Sequence, residues 1–386
     1  MKSNYKKLGQ FIRQVDVRNT NLSADRLLGV SVQKKFIPSI ANTIGTDFSK
    51  YKIVEKGQFT YIPDTSRRGD KIGIALLDNY DEGLVSNIYT VFEIIDKTKL
   101  IPEYLMLWFS RPEFDRYARY KSHGSVREIF DWNEMCNVEL PVPSIEKQLE
   151  IVYQYKVISG RIALKQKIND KFEEYAQIFF KRMFANYYES LVLPKGWYIE
   201  RLENLCDIKG GKRLPIGYEL LDFPTNHPYI RVRDINKNYV FLTNKFQYID
   251  EETYSSISKY IVNENDIIIS IVGTIGLIGK IHKSLDGANL TENCVKLANI
   301  NIQLSDYIYY TLCYKRDSNE LNLLTVGGVQ AKLPIYNIKK IDVIVPSIKL
   351  LSEFQSQVNT INKQIELNLI EIQELINLLN MLISRL

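Results

Sequence analysis

Apolar residues near the end of the chain fall at Phe354, Val358, Ile361, Ile365, Leu369, Ile372, Ile376, Leu379, Ile383 and Leu386, spaced by three and four positions with one stutter, and no Pro or Gly interrupts them. Such spacing predicts a long helix whose apolar seam must be buried against another helix. A looser stripe, Leu149, Val152, Tyr155, Ile158, Ile162, Ile168, Phe172, Tyr175, Phe179 and Met183, with Lys165 and Gln166 in a gap, predicts a second such helix over residues 145–184. Forty helical residues at 1.5 Å each reach roughly 60 Å, so the two most simply bury each other, antiparallel. The alternative is that each packs on its own domain.

Elsewhere the pattern is short and alternating. In the first part, Lys52-Ile53-Val54, Phe59 to Ile62, Ile72 to Leu77 and Tyr89 to Ile95 read as strands, followed by a helix after Pro102 that breaks at Pro112. In the second, strands are expected at Tyr229 to Val232, Tyr260 to Val262, Asp266 to Val272 and Cys294 to Leu297, with a helix over Ser305 to Tyr314. The two series are related. Val142-Pro143-Ser144-Ile145 recurs as Val345-Pro346-Ser347-Ile348, and the same offset of 203 residues carries Gly124 in Ser-His-Gly-Ser-Val onto Gly327 in Thr-Val-Gly-Gly-Val. Nearer the start of each copy, Lys52 to Val54 and Tyr260 to Val262 match at an offset of 208, the difference being loop insertion and deletion. A repeat this long implies two similar α/β (α+β) globules in a quasi-two-fold arrangement, suited to a ligand with two separated half-sites. Boundaries follow from it: a first domain over 1–144, a central long helix and linker over 145–189, a second domain over 190–345 and a terminal long helix over 346–386.

Composition narrows the class. The 386 residues are 45% hydrophobic and 25% charged, ordinary for a folded protein with two cores. No apolar run is long enough to span a bilayer and the first residues lack a signal-peptide core, so a cytoplasmic protein without membrane contact is expected. Cys136, Cys206, Cys294 and Cys313 form no Cys-x-x-Cys pair and lie far from His123, His227 and His282, which argues against zinc. The net charge of +5 is modest. A protein gripping DNA alone shows a broader basic footprint, so DNA binding here requires local clusters or help from partner subunits.

Several elements in this order are similar to the specificity subunits of type I restriction-modification enzymes: Leu140-Pro141-Val142-Pro143-Ser144-Ile145-Glu146-Lys147-Gln148 leading into a long helix, its counterpart at Val345, His123-Gly124-Ser125-Val126-Arg127, and Leu193-Pro194-Lys195-Gly196-Trp197 opening the second copy. The resemblance covers essentially the whole chain. It departs in one place, since the first copy lacks the Leu-Pro-x-Gly-Trp opening and begins at Lys7-Leu8-Gly9. The resemblance implies a non-catalytic subunit with two tandem target-recognition domains joined by an antiparallel coiled coil, reading a bipartite, asymmetric sequence in double-stranded DNA. It further implies docking of two methyltransferase subunits and of restriction subunits. No cofactor is expected in this chain, and S-adenosylmethionine, ATP and Mg2+ are expected in those partners.

Direct chemistry is sparse. Gly273-Thr274-Ile275-Gly276-Leu277-Ile278-Gly279 lacks the Gly-Lys-Ser/Thr of a phosphate loop and leads into extended Lys280-Ile281-His282, so a tight β-hairpin is expected. No Asn-Pro-Pro-Tyr-type tetrapeptide is present, and no Asp/Glu-x-Lys follows Pro63-Asp64 within about the next thirty residues to make a nuclease site. DNA-contact candidates are Arg67, Arg68 and Lys71 on a Gly-containing loop, Arg127 beside Gly124, Lys209, Lys212 and Arg213 around Gly210-Gly211, Arg231 and Arg233 alternating on a strand so that both project to one face, and Lys332 beside Gly327-Gly328. A solvated basic turn is the competing reading for the first cluster, and turn geometry for the glycines. The 25 Tyr are expected to fill cores and interfaces rather than to stack on bases. Two rivals to DNA readout stay open: a protein-binding coiled-coil scaffold and an autonomous enzyme that binds S-adenosylmethionine.

Overall fold

A computed structural model describes residues 5–39, 45–65, 71–124, 128–190, 192–235, 238–243, 245–328 and 331–386. The chain forms two compact units, one from residues 1–163 with 374–386 and one from 164–373.

Each unit has the same frame. In the first, Tyr5–Lys7 pairs antiparallel with Glu139–Pro141; in the second, Tyr198–Arg201 pairs antiparallel with Asp342–Val345. A single short helical turn follows each first strand, Leu8–Gln10 or Leu202–Leu205, and drops a fully buried leucine, Leu8 or Leu202, into the core. The strand at Tyr5 supplies the opening that the sequence pattern of the first copy did not reveal. Three residues, all exposed, give no period to read.

The central sheets match strand for strand. The first runs in the order Ile12–Val15, Thr90–Ile94, Phe59–Tyr61, Ile74–Leu76; the second runs Asp207–Gly210, Cys294–Ala298, Ile267–Ser270, Ile278–Ile281, and adds Asn238–Val240 in parallel at its edge. Each sheet is covered by helices. Pro102–Phe109 and Pro112–Tyr120 start with proline in the first turn, where the missing N–H costs nothing, and the break at Pro112 is where the sequence placed it. The equivalent helix Ile302–Asp317 is longer than the expected Ser305 to Tyr314 because Asn301 caps it one turn earlier, accepting from the Gln303 N–H at 3.0 Å. Stacked Phe59 and Phe92, 4.9 Å between ring centroids, with Phe109 and Phe114 beneath, form the first core. Ile267, Ile269, Tyr307, Tyr310, Phe180, Phe184 and Phe354 form the second.

Around this frame the units differ. The first carries the hairpin of Leu28–Val30 with Phe36–Pro38 and the pair Lys52–Glu55 with Glu82–Val85. The second carries a three-stranded sheet, Gln247–Ile249, His227–Ile230, Asn289–Leu290, and the helix Glu251–Ile257 capped by Asp250. Tyr260 to Val262 is not a strand: Ser258–Tyr260 is a 3-10 turn and only Ile261 bridges, to Asn289. Residues 232–234 are likewise a 3-10 turn, so Arg231 and Arg233 do not alternate along a strand. The side chain of Asp234 accepts from the backbone N–H of Arg231 at 3.0 Å, which curls the chain just after the His227–Ile230 strand.

The two long helices are Ile145–Ser190 and Ile348–Ser384. Within the second unit they pack antiparallel: Lys165 donates to Asn368 at 2.9 Å and pairs with Glu371 at 2.6 Å, whereas Phe179 stacks on Phe354 at 5.9 Å. Within the first unit the order is again reversed, with Val152 sharing a core with Leu386 and Val157 and Ile158 lining one groove with Leu378 and Leu382. The seam of the second helix is buried where expected, at Phe354, Val358, Ile361, Ile365 and Ile372. In the first helix Leu149, Ile168 and Tyr175 are exposed instead. The buried line there runs through Glu173, Ala176, Phe180 and Phe184; Lys165, in the gap of the apolar stripe, reaches Asn368, which also donates to Asn169 at 2.7 Å. Apolar spacing alone cannot follow a seam that passes through polar residues satisfied across the helix pair.

Candidate functional site

The Gly124 and Gly327 loops are closed by equivalent pairs of backbone hydrogen bonds, His123 with Ile129 and Val326 with Lys332. Both glycines have positive φ, 144° and 94°, the region L side chains avoid. Each loop then joins the end of a central strand: Ile129 bridges Asp64, Lys332 bridges Val272, the Phe130 N–H donates to the Pro63 carbonyl at 2.9 Å and the Leu333 N–H to the Ile271 carbonyl at 3.0 Å. The loop residues are related by 203 and the strand residues by 208, so both offsets read from the sequence meet in one structural feature.

In the second unit, backbone bonds extend this feature into a continuous edge. The Ile271 N–H donates to Asn293 O at 2.8 Å, Gly211 to Cys294 O at 3.0 Å, Lys212 to Leu290 O at 2.8 Å and Thr291 to Ile230 O at 3.0 Å. Lys332, the Gly273 to Gly276 turn, Lys212, Arg213 and Arg231 therefore gather at one end of the five-stranded sheet, while Lys209 sits one step inside, in register with Lys296. Residues 273–277 turn between two antiparallel strands, as a hairpin should, with Gly273 and Gly276 both at φ 80°. Arg316, which the sequence did not single out, packs its stem against Gly276. Its only prior signal was a basic residue in the last turn of a helix.

These cations are not equally available. The Arg231 side chain is largely buried, chelates Asp234 at 2.7 and 2.9 Å and reaches the Lys245 carbonyl, so it holds the turn together. Arg233 donates to Gln247 at 2.9 Å, Arg213 to Glu292 at 2.7 Å and Lys209 to Asp207 at 3.1 Å, all on the exposed surface. Lys212 lies over the Tyr260 ring at 5.7 Å. Lys332 has no ion pair among the described residues. An anion at this edge would meet Lys332 and Lys212 first and would have to displace carboxylates from Arg213 and Lys209.

In the first unit, Arg67, Arg68 and Arg127 lie outside the described residues. Lys71 is exposed and follows directly on that segment. Its neighbour Ile72 donates its N–H to Asp115 at 3.1 Å, and Asp115 pairs with buried Lys34 at 2.8 Å. Burial pulls the Lys34 ammonium below its usual value, although Asp115 opposes this. Thr65 accompanies the Gly124 loop, donating its N–H to Glu128 O at 3.0 Å, and Arg119 pairs with the Glu128 carboxylate.

Cys206, Cys294 and Cys313 are free and buried, with burial pushing each thiol up to about 12. No helix among the described residues is long and apolar enough to cross a membrane.

Against known proteins, residues 194–377 match the type I restriction modification DNA specificity domain. The chain is 25% identical over 294 residues to the type I restriction enzyme MjaIX specificity subunit of Methanocaldococcus jannaschii, covering 70% of this chain and 65% of that protein. It is 20% identical over 405 residues to the type I restriction enzyme HindI specificity subunit of Haemophilus influenzae, covering 87% and 86%. The crystal structure of the type I restriction-modification S subunit from M. genitalium has the same fold, with a TM-score of 0.52, 15% identity and coverage of 98% of this chain and 94% of that one.

Proposed function

We propose that the chain is a DNA specificity subunit of a type I restriction-modification system and that its two globules, residues 1–144 and 190–345, each read one half of a bipartite, asymmetric DNA target. The subunit is non-catalytic. The helices of 145–189 and 346–386 act as spacer and as docking surface for two methyltransferase subunits, to which restriction subunits add; S-adenosylmethionine, ATP and Mg2+ belong to those partners, and the assembly works in the cytoplasm.

The observation that carries the reading is the duplicated glycine loop, joined in each unit to the end of a central strand and, in the second, to an edge bearing Lys212, Arg213 and Lys332. Side-chain cations at such an edge contact phosphate or guanine, and positive-φ glycines let backbone approach. Arg67, Arg68, Lys71 and Arg127 take the same role in the first unit, with Lys209 and Arg233 at the periphery of the second. Arg231 serves as the support of that edge.

The test is to co-express the chain with its methyltransferase subunits and map modified adenines across a genome. Exchanging residues 190–345 for those of a relative should change one half of the recognised sequence and leave the other intact. An unchanged sequence at both halves would make the chain a protein-binding scaffold. Lys212→Ala and Lys332→Ala should each lower the slope of log affinity against log salt by about 1; slopes equal to the parent's would remove them from the interface.

A further inference from the structure

The arginines along the edge of the second unit are not held alike. Every nitrogen of Arg231 is engaged, Nε and one Nη by the Asp234 carboxylate and the other Nη by Gln247, so none of its fork is left to offer. Arg213 uses Nε alone, donating to Glu292 at 2.7 Å, and neither Nη group has a hydrogen-bond partner among the described residues. Its side chain is 79% exposed, whereas that of Glu292 is only 30% exposed.

Both members of this pair stand on anchored backbone. Lys212, just before Arg213, donates its N–H to Leu290 O at 2.8 Å; Thr291, just before Glu292, donates its own to Ile230 O at 3.0 Å, and the Cys294 N–H returns to Thr291 O at 3.1 Å. The second carboxylate oxygen of Glu292 accepts from the buried Thr291 hydroxyl at 2.9 Å, so each of its two oxygens is fixed by a different donor. Burial pushes the Glu292 carboxyl up, but the bonds from Arg213 and Thr291 outweigh it and hold the group below its ordinary value. The carboxylate is charged at neutral pH.

An exposed ion pair adds little to stability, and the backbone here is already tied down, so the edge does not need this pair in order to form. What the pair changes is the kind of ligand that the edge attracts. A bare guanidinium takes phosphate readily, while one that faces a carboxylate has its charge cancelled and keeps its N–H donors, which favours a neutral acceptor over an anion. Guanine presents two such acceptors, O6 and N7, at the spacing of a guanidinium fork. Because Glu292 takes Nε, the end-on pair of Nη groups is left for them.

We propose that Glu292 determines specificity in the half-site of the second unit: it orients Arg213 and cancels its charge, so that the two Nη groups read O6 and N7 of one guanine instead of binding a phosphate. The inference rests on the DNA reading above and deepens it, naming a base and the side chain that selects it. Glu292 is a positioning residue and acts through Arg213. Phosphate is left to Lys212 and Lys332, which have no carboxylate paired with them among the described residues.

The test uses the full chain assembled with its methyltransferase subunits, and it reads methylation of every single-base variant of the target together with binding to an unrelated duplex across a salt series. Arg213→Lys keeps the charge and loses the fork, and should lower the preference for one G·C pair, in the half-site assigned to residues 190–345, by about tenfold. Glu292→Gln keeps the shape and removes the charge. It should relax the same position by about fivefold, tighten binding to the unrelated duplex and steepen the fall of log affinity with log salt by about 1, since the released Arg213 then takes a phosphate. A half-site without a G·C pair overturns the proposal, as does an Arg213→Lys complex that keeps its preference at every position. A Glu292→Gln slope equal to the parent's does so too, because a carboxylate that only clamps the chain would not move it. In these three cases a bipartite target is still read and only the role of Glu292 falls; a parent complex with no base preference in that half-site overturns the DNA reading of the second unit and the role of Glu292 together.

Discussion

In the first unit Gln58, on the turn before a central strand, accepts the Glu55 N–H at 2.8 Å through its side-chain oxygen and donates to Glu93 at 3.0 Å on the neighbouring strand. In the second unit the same place holds Asp266, which accepts the Asn263 N–H at 2.9 Å and pairs with Lys296 at 3.7 Å. An amide facing a carboxylate has become a carboxylate facing an ammonium. The turn requires a side-chain oxygen for the N–H three residues earlier; it does not require a charge, provided the strand neighbour answers it. The strand beyond follows suit: Arg13 faces Glu93 in one unit, and Lys209 faces Lys296 in the other. One frame thus tolerates opposite electrostatics at matched positions, and that freedom lets two copies of a fold present different surfaces.

The comparison breaks most sharply at Gly211. Its counterpart is Val15, paired with Val91 as Gly211 is with Cys294. A Cβ at Gly211 would stand 2.1 Å from the Thr291 carbonyl oxygen and 2.4 Å from that of Leu290, because the Asn289–Leu290 strand of the second unit passes directly over it. Installing the other unit's residue, Gly211→Val, should destabilise the second unit by about 3 kcal/mol or more, since backbone rather than a movable side chain must yield. Urea unfolding followed by Trp197 fluorescence measures it. A loss below about 1 kcal/mol would mean that the strand moves aside and that the layer around the frame is softer than its contacts imply.

A smaller difference is expected at the matched tyrosines. Tyr104→Phe removes one hydrogen bond, to Pro141, and should cost about 1 kcal/mol. Tyr307→Phe removes the bond to Ile344 and also leaves the Tyr188 hydroxyl short of a buried partner, so about 2 kcal/mol is expected. Equal losses in unfolding experiments would show that Tyr188 contributes shape alone to its corner.

Much of this architecture was legible in the chain, and the remainder was hidden for definite reasons. Val142-Pro143-Ser144-Ile145 and its copy mark where short strands stop and long helices begin, and the seam from Phe354 to Ile372 is uninterrupted, so the helices and the duplication could be read. The strands from Lys52 and Phe59 are apolar enough to stand out. The Tyr5–Lys7 strand is not, since its identity lies in its partner 134 residues away at Glu139–Pro141 and in no pattern of its own. Arg231 and Arg233 look alternating until Asp234 is seen to fold the chain into a turn, an effect of one local hydrogen bond that no period reports. Nor could the candidate cations be ranked. Whether Arg213 is free or held by Glu292, 79 residues on, depends on strand register.

The swapped pair at Gln58 and Asp266 also predicts that Glu93 and Asp266 respond to acid in opposite directions. Burial pushes the Glu93 carboxyl up, but hydrogen bonds from Gln58 and Arg13 outweigh it and hold the group below its ordinary value. Its folded value lies under its unfolded one, so the stability it contributes is present above the unfolded value and is lost as pH falls through the folded one. For Asp266 burial dominates, and the bonds from Asn263 and Lys296 do not compensate, so the carboxyl sits above its ordinary value. The folded state there binds a proton more readily than the unfolded chain, and stability is gained as pH falls from the folded value to the unfolded one. Carboxyl carbon NMR should find Glu93 titrating below and Asp266 above an ordinary side chain of its type. Glu93→Gln should remove part of the acid-induced loss of the first unit, and Asp266→Asn should remove a contribution in the second that opposes acid-induced loss. If both substitutions flatten stability against pH in the same direction, the strand neighbours do not answer the charges as their geometry implies, and the matched positions differ in name only.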